Sequence, residues 1–289
     1  MRRMFIFGLG YTASRLAAAL RREGWQVDAT GRAGNIAFDD DRAVRMALAE
    51  ADSVLSSVPP DGGSGTDPVL ARYGDGLAGR WLGYLSSTGV YGDTGGAWVD
   101  ETAPLADGLR ARCDAAWAMQ DARVFRLSGI YGPGRSVFDR LREGRAHRIE
   151  LPGQVFSRVH VDDIVAGVLA ALVSDAPSGA YNLADDLPCS QNLVVEHACR
   201  LLGIAPPPLR TMDEAGLSAM ARGFYEQNRR VANGRARRVL GWWPRYPTYV
   251  EGLAALRDAA SAGTDFALNA TTIPATASTP PATASGDQR

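Results

Sequence analysis

Met4-Phe5-Ile6-Phe7-Gly8-Leu9-Gly10-Tyr11-Thr12-Ala13 is the stretch on which the fold turns. Four consecutive apolar residues before a glycine read as a strand buried on both faces. Beyond the glycines, Ser14–Arg22 places Leu16, Ala17 and Leu20 on one side of a helix. In that setting each small residue has a job: Gly8 allows a tight turn, Gly10 lets a pyrophosphate approach the backbone, and Ala13 lets the helix pack closely on the strand. The N-terminus of that helix then offers free N–H groups to an anion, with Tyr11 and Thr12 of the turn also expected to contact the cofactor.

The alternation continues outward. Apolar or β-branched runs at Gln26–Thr30, Asn35–Phe38 (the weakest), Ser53–Val58, Trp81–Ser86, Arg123–Leu127 and Ala180–Leu183 are separated by helical patterns. Those patterns cover Asp41–Glu50, Asp67–Ala78, Leu109–Asp121, Val137–Glu143, Asp162–Val173 and Gln191–Leu202. Repeated strand–helix units predict an α/β, Rossmann-type doubly wound parallel sheet of about seven strands. Residues 1–185 are expected to form the dinucleotide-binding core, and 186–261 a mixed C-terminal lobe that completes a substrate cleft. Residues 262–289, rich in Ala, Thr, Ser and Pro, are expected to be a disordered tail.

The end of the second strand decides the cofactor, because an acid there bonds a ribose 2′-OH and an Arg accommodates a 2′-phosphate. Thr30-Gly31-Arg32 occupies that place, with Asp28 inside the strand. Arg32 therefore points to NADP, with NAD as the alternative if Arg32 is only a solvated surface residue. Val58 and Ser86, at the ends of two further strands, complete the expected cofactor-contacting set.

Composition narrows the partners. A net charge of −1 and a pI near 6.3 supply no basic face for nucleic acid. The three cysteines and three histidines show no disulfide framework and no metal-ligand spacing. The N-terminus carries no signal-peptide pattern and no run reaches membrane-spanning length, so a cytoplasmic location is expected. A small-molecule substrate, and at most a second copy of the chain, are the expected partners. All 31 positive residues are Arg, so no step can use a lysine amine.

Leu85-Ser86-Ser87-Thr88-Gly89-Val90-Tyr91-Gly92 resembles the extended short-chain dehydrogenase/reductases, the group that contains nucleotide-sugar epimerases and dehydratases. Asp100–Pro104, Arg126–Gly134, Arg158–Asp163 and Tyr181–Asp185 follow in that family's order. The resemblance implies a nicotinamide cofactor across the carboxyl edge of the sheet and a C-terminal lobe over the substrate. It also implies that Ser87, with Thr88 beside it, holds the substrate oxygen whose carbon exchanges hydride. The bland alternative is a hydroxyl-rich strand end that satisfies its own backbone.

The family's Tyr-x-x-x-Lys pair is missing: Gly108–Trp117 holds neither residue. Counting without gaps from Glu101 puts Arg112 at the tyrosine and Ala116 at the lysine. An arginine stays protonated, so Arg110 or Arg112 could supply charge but not protons, and the alternative is that both solvate the exposed face of their helix. Two functions remain open. One is an atypical oxidoreductase or epimerase-like enzyme on a small polar or sugar-like substrate; the other is a non-catalytic NADP(H)-sensing protein. Asp162 and Asp163 are expected to cap the helix they begin, with His160 in a structural role beside them, and Tyr91, Tyr131, Trp242 and Trp243 to pack. Arg229–Arg238 reads as a solvated face that could meet substrate phosphates.

Overall fold

In the computed structural model, which describes residues 1–174, 176–218, 222–223 and 225–262, six parallel strands form the central sheet. They are β1 (Arg3–Phe7), β2 (Gln26–Ala29), β3 (Ser53–Ser56), β4 (Trp81–Ser87), β5 (Arg123–Leu127) and β6 (Gly179–Leu183). Their spatial order is β2-β1-β3-β4-β5-β6, every neighbouring pair parallel. The chain thus leaves β1 for β2 on one side and crosses back to β3 on the other, which opens a crevice at the carboxyl ends of β1 and β3.

The weak seventh strand is not built. Asn35–Phe38 is reduced to one parallel bridge, Thr30 to Ile36, at the edge beside β2. The reason is local: Asn35 Oδ1 accepts from the Ala29 N–H at 2.9 Å, and its Nδ2 donates to Asp28 at 2.8 Å. A side chain therefore occupies the edge that a strand would have paired.

Helices cover both faces, and β1 shows why its residues alternate. Met4 and Ile6 enter a core with Leu16, Ala17 and Leu20 of α1 (Tyr11–Arg22) and Ile164 and Val168 of α6 (Val161–Val173). Phe5 and Phe7 face the opposite core, with Val44 and Leu48 of α2 (Asp41–Glu50), Val69 and Tyr73 of α3 (Pro68–Tyr73) and Trp117 of α4 (Leu109–Ala118). The pattern over Asp67–Ala78 stops early as α-helix because Gly74 and Gly76 pass into a 3₁₀ turn. A smaller core joins α5 (Val137–Arg142), α7 (Gln191–Leu202) and α9 (Tyr249–Ala262) through Phe138, Val195 and Leu253. Between them α8 (Gly234–Leu240) packs Ala236 and Leu240 back onto the sheet's own core. The expected tail from 263 onward lies outside the described residues.

Helix α4 is held by charge as well as by packing. Asp114 is fully buried and forms a 2.7 Å ion pair with Arg126 of β5, itself 6% exposed. Ser86 of β4 donates to the same carboxylate at 2.6 Å, and Arg126 donates to Tyr91 Oη at 3.0 Å. Tyr91 in turn donates to Asn182 of β6 at 2.7 Å. Removing one member strands the other charge in a dry site. Asp114→Ala should therefore lower unfolding stability by about 3–5 kcal/mol, read from denaturant unfolding; a loss under about 1 kcal/mol would show the pair to be hydrated.

Candidate functional site

The glycine turn after β1 is built around a close approach. Gly8 has φ +83°, its N–H donates to Thr30 Oγ1 at 3.1 Å, and Leu9 N–H donates to the Thr30 carbonyl at 2.7 Å. Gly31, with φ +104°, lies so near that an added Cβ would stand 2.8 Å from Leu9 N. Ser57 Oγ donates to the Gly8 carbonyl, tying the turn to the end of β3. Above Gly10 a Cβ would meet nothing within 4 Å. Helix α1 starts there with no side-chain cap and no acid in its first turn, so its leading N–H groups remain available to an anion.

Two concavities meet over this turn. The outer one, about 1010 Å³, is lined by Gly8, Arg32, Phe38, Val58 and Pro60 among others. The inner one, about 790 Å³, is lined by Thr12, Ala13, Ser86, Ser87, Thr88 and Arg110 among others. Gly10, Tyr11, Ser57 and Pro59 belong to both, so they form one groove along the carboxyl edge of the sheet. Every expected cofactor-contacting residue lines it. Arg32 is exposed at the outer end and, among the described residues, makes no ion pair, whereas Asp28 is taken by Asn35 outside the groove.

At the inner end Ser87 is half-buried, and its Oγ accepts the Gly89 N–H at 3.1 Å. Its own O–H is left to donate into the groove. Thr88 is buried beside it. The α4 residue that lines the groove is Arg110, not Arg112; Arg112 is exposed on α4 and is not a lining residue. Arg229 closes the same end, its guanidinium donating to the Gly92 carbonyl and to Gln227 Oε1 at 2.8 Å. Burial pushes its pKa down. Tyr11 is the one titratable lining side chain of the inner groove with a neutral form near pH 7, and its hydroxyl donates to the Pro133 carbonyl at 3.0 Å.

Two of the remaining candidates depart from the sequence reading: His160 itself, not Asp162 or Asp163, is the N-cap of α6, and Trp243 is exposed instead of packed. His160 is buried and its Nδ1 accepts the Asp162 N–H at 3.2 Å, the N-cap of α6. Trp242 is buried and donates to the Asp163 carbonyl at 2.9 Å, but Trp243 is exposed under Arg237. Tyr91 and Tyr131 are buried. Among the described residues no group of His, Cys, Asp and Glu could hold a metal ion, and no helix is long and apolar enough to cross a membrane. Asp114, Arg126, Arg135 and Arg140 were not foreseen; only convergence in space distinguishes them from other charged residues.

No family model matches the chain. A solved structure of a functionally unknown conserved protein from Silicibacter pomeroyi is 40% identical, covers 90% of this chain and 99% of its own, and superposes with a TM-score of 0.80. The chain belongs to the family of that protein. Its fold is the short-chain dehydrogenase/reductase fold of the epimerase/dehydratase-like kind. A human epimerase family protein, SDR39U1 with NADPH, shares it at 15% identity with a TM-score of 0.71, covering 89% of this chain and 99% of that one. A Streptomyces 3-diazoavenalumate denitrifying reductase is 36% identical over 144 residues, and that match spans 45% of each protein. Escherichia coli YeeZ is 26% identical over 75% of this chain and 89% of its own.

Behind the groove, burial pushes the Asp185 carboxyl up to about 7 against the attraction of Arg158, and Asp163 up to about 6. A carboxyl raised in the folded state stabilises most below its unfolded pKa near 3.9, and that contribution is lost as pH rises toward 7. His160, pushed down to about 4 by burial, acts oppositely and costs stability as pH falls from about 6.5. Asp185→Asn should thus raise the melting temperature by about 2–4 °C at pH 8 and leave it unchanged at pH 4. Equal shifts at both pH values in thermal scans would show that Asp185 keeps an ordinary pKa.

Proposed function

We propose that the chain is an NAD(P)-dependent oxidoreductase or epimerase-like enzyme acting on a small polar substrate, with NADP preferred. One observation carries this reading: a continuous groove runs from Arg32, across the open turn at Gly10, to the Ser87 hydroxyl. The turn residues fit a dinucleotide, since Gly31 and Gly8 press the backbone together while the space over Gly10 and the uncapped start of α1 stays open. NADPH and NAD appear with proteins of the same fold, which supports the cofactor class. When bound, the nicotinamide supplies or accepts a hydride.

The chain's own residues then divide the work. The free N–H groups of Tyr11, Thr12 and Ala13 would hold the pyrophosphate, and Arg32 would meet a 2′-phosphate. Ser87 donates to the substrate oxygen. Arg110 and Arg229 hold fixed positive charge beside it, favouring negative charge that develops on that oxygen. Neither arginine can deliver a proton, so the substrate or water must complete any proton transfer. The Streptomyces relative is a reductase by name, and we favour reduction as the direction. A sensing protein without turnover remains the competing reading, because the inner groove has no lysine and α4 has no tyrosine.

Calorimetry on Arg32→Ala should show NADPH binding weakened by about ten- to a hundredfold with NADH unchanged. Equal NADPH affinity in variant and wild type would remove Arg32 from the cofactor site. For the chemistry, NADPH oxidation against a panel of carbonyl and nucleotide-sugar substrates comes first; no turnover with any of them favours the sensor. With an active substrate, Ser87→Ala should slow single-turnover hydride transfer by about a hundred- to a thousandfold. Arg110→Ala should slow it more than Arg112→Ala. If Ser87→Ala keeps the wild-type rate, the reacting oxygen lies elsewhere.

A further inference from the structure

Beyond Ser87 the groove opens into a third concavity of about 660 Å³, and Gly129, Ile130 and Arg135 line both. Three guanidinium groups reach it from different elements: Arg135 from the loop before α5, Arg140 from α5, and Arg158 from the short strand Arg158–His160. Among the described residues none of the three has a carboxylate within ion-pair distance. The acids that line the same wall are already engaged. Asp139 accepts from Ser136 N–H and Oγ at 2.8 and 2.7 Å and pairs with Arg142, and Glu143 pairs with Arg145.

A solvated arginine face would explain Arg135 and Arg140, both exposed at the rim, but not Arg158. That side chain is only 7% exposed and donates to neutral acceptors: the Phe156 and Cys189 carbonyls at 2.9 and 3.1 Å, and Gln191 Oε1 at 3.1 Å. Asp185 is the acid that feels Arg158, but neither of its oxygens comes within ion-pair distance of that guanidinium, and burial pushes its carboxyl up to about 7. Desolvation first, and repulsion from Arg158, Arg135 and Arg145 against the opposing pull of Tyr225, push the Arg140 pKa down. A buried guanidinium that shares a concavity with two others, and has no carboxylate within ion-pair distance, is an arrangement that a bound anion relieves.

We infer that this concavity is an anion subsite, in which Arg140, Arg158 and Arg135 hold a doubly charged group, a phosphate or a pair of carboxylates, on the substrate. The inference rests on the reading of the neighbouring groove as the dinucleotide site. It places the substrate's anion at one end of the cleft and its reacting carbon near Ser87 at the other. Such an anchor would orient a substrate for hydride transfer without touching the reacting atoms.

The test uses the full chain saturated with NADPH, so that the phosphate sites of the cofactor groove are filled. Inorganic phosphate and malonate are titrated separately by calorimetry at low ionic strength. At least one should bind, and whichever is tighter separates a phosphoryl from a dicarboxylate anchor. Arg140→Gln should weaken that anion by about ten- to a hundredfold. NADPH affinity and melting temperature should stay at wild-type values, because Arg140 does not line the dinucleotide groove. Neither anion binding to the wild type, or equal binding to Arg140→Gln, overturns the subsite. Binding that appears only without NADPH overturns it too, since the anion is then in the cofactor groove. Because no turnover is read, the outcome stands apart from whether the chain proves to be an enzyme.

Discussion

The Asp114–Arg126 ion pair is the interaction on which the site depends. It sits dry at the carboxyl end of the sheet, where β4, β5 and α4 meet, and Ser86, Tyr91 and Asn182 extend it to β6. A buried pair of this kind contributes little net stability against an apolar replacement, but each partner is costly to leave alone. Its effect is geometric. By pinning α4 to the ends of β4 and β5 it brings Arg110 over the strand end that carries Ser87 and Thr88.

Packing on the other side of α4 fixes the same placement. Trp117 stacks on Tyr84 of β4 with ring centroids 5.2 Å apart, and its Nε1 donates to Asp67 at 2.8 Å. The other oxygen of Asp67 caps α3 by accepting from Val69 and Leu70. One helix thus bridges an apolar core and a polar network. Along α4, Arg110 lines the groove and, one turn later, Asp114 anchors the helix beneath it.

Charge is distributed unevenly along the cleft. The outer end carries Arg32, the middle relies on backbone N–H groups, and the inner end and its extension carry Arg110, Arg229, Arg135, Arg140 and Arg158. A chain with net charge of −1 has thus concentrated positive field in one place. Surface ion pairs such as Arg45–Asp75 and Arg72–Asp41 neutralise arginine elsewhere. That contrast is what gives the unpaired arginines of the cleft their meaning.

The order of strands and helices, the glycine turn, the Arg at the end of β2 and the absence of lysine were legible in the sequence, because each depends on residues near one another along the chain. Strand and helix periods are local properties, and so is the freedom of Gly8 to take φ +83°. Local hydrogen bonding by Asn35 already overruled one expected strand. Which arginine of α4 faces the groove was beyond the sequence: Arg110 and Arg112 are about 200° apart around a helix, and a count along the chain cannot say which side the sheet will hold. The same limit hid Asp114 with Arg126, and Arg135 and Arg140 with Arg158. These charges come together only after the sheet has closed and the water between them is gone, and desolvation, not residue type, then decides what each can do.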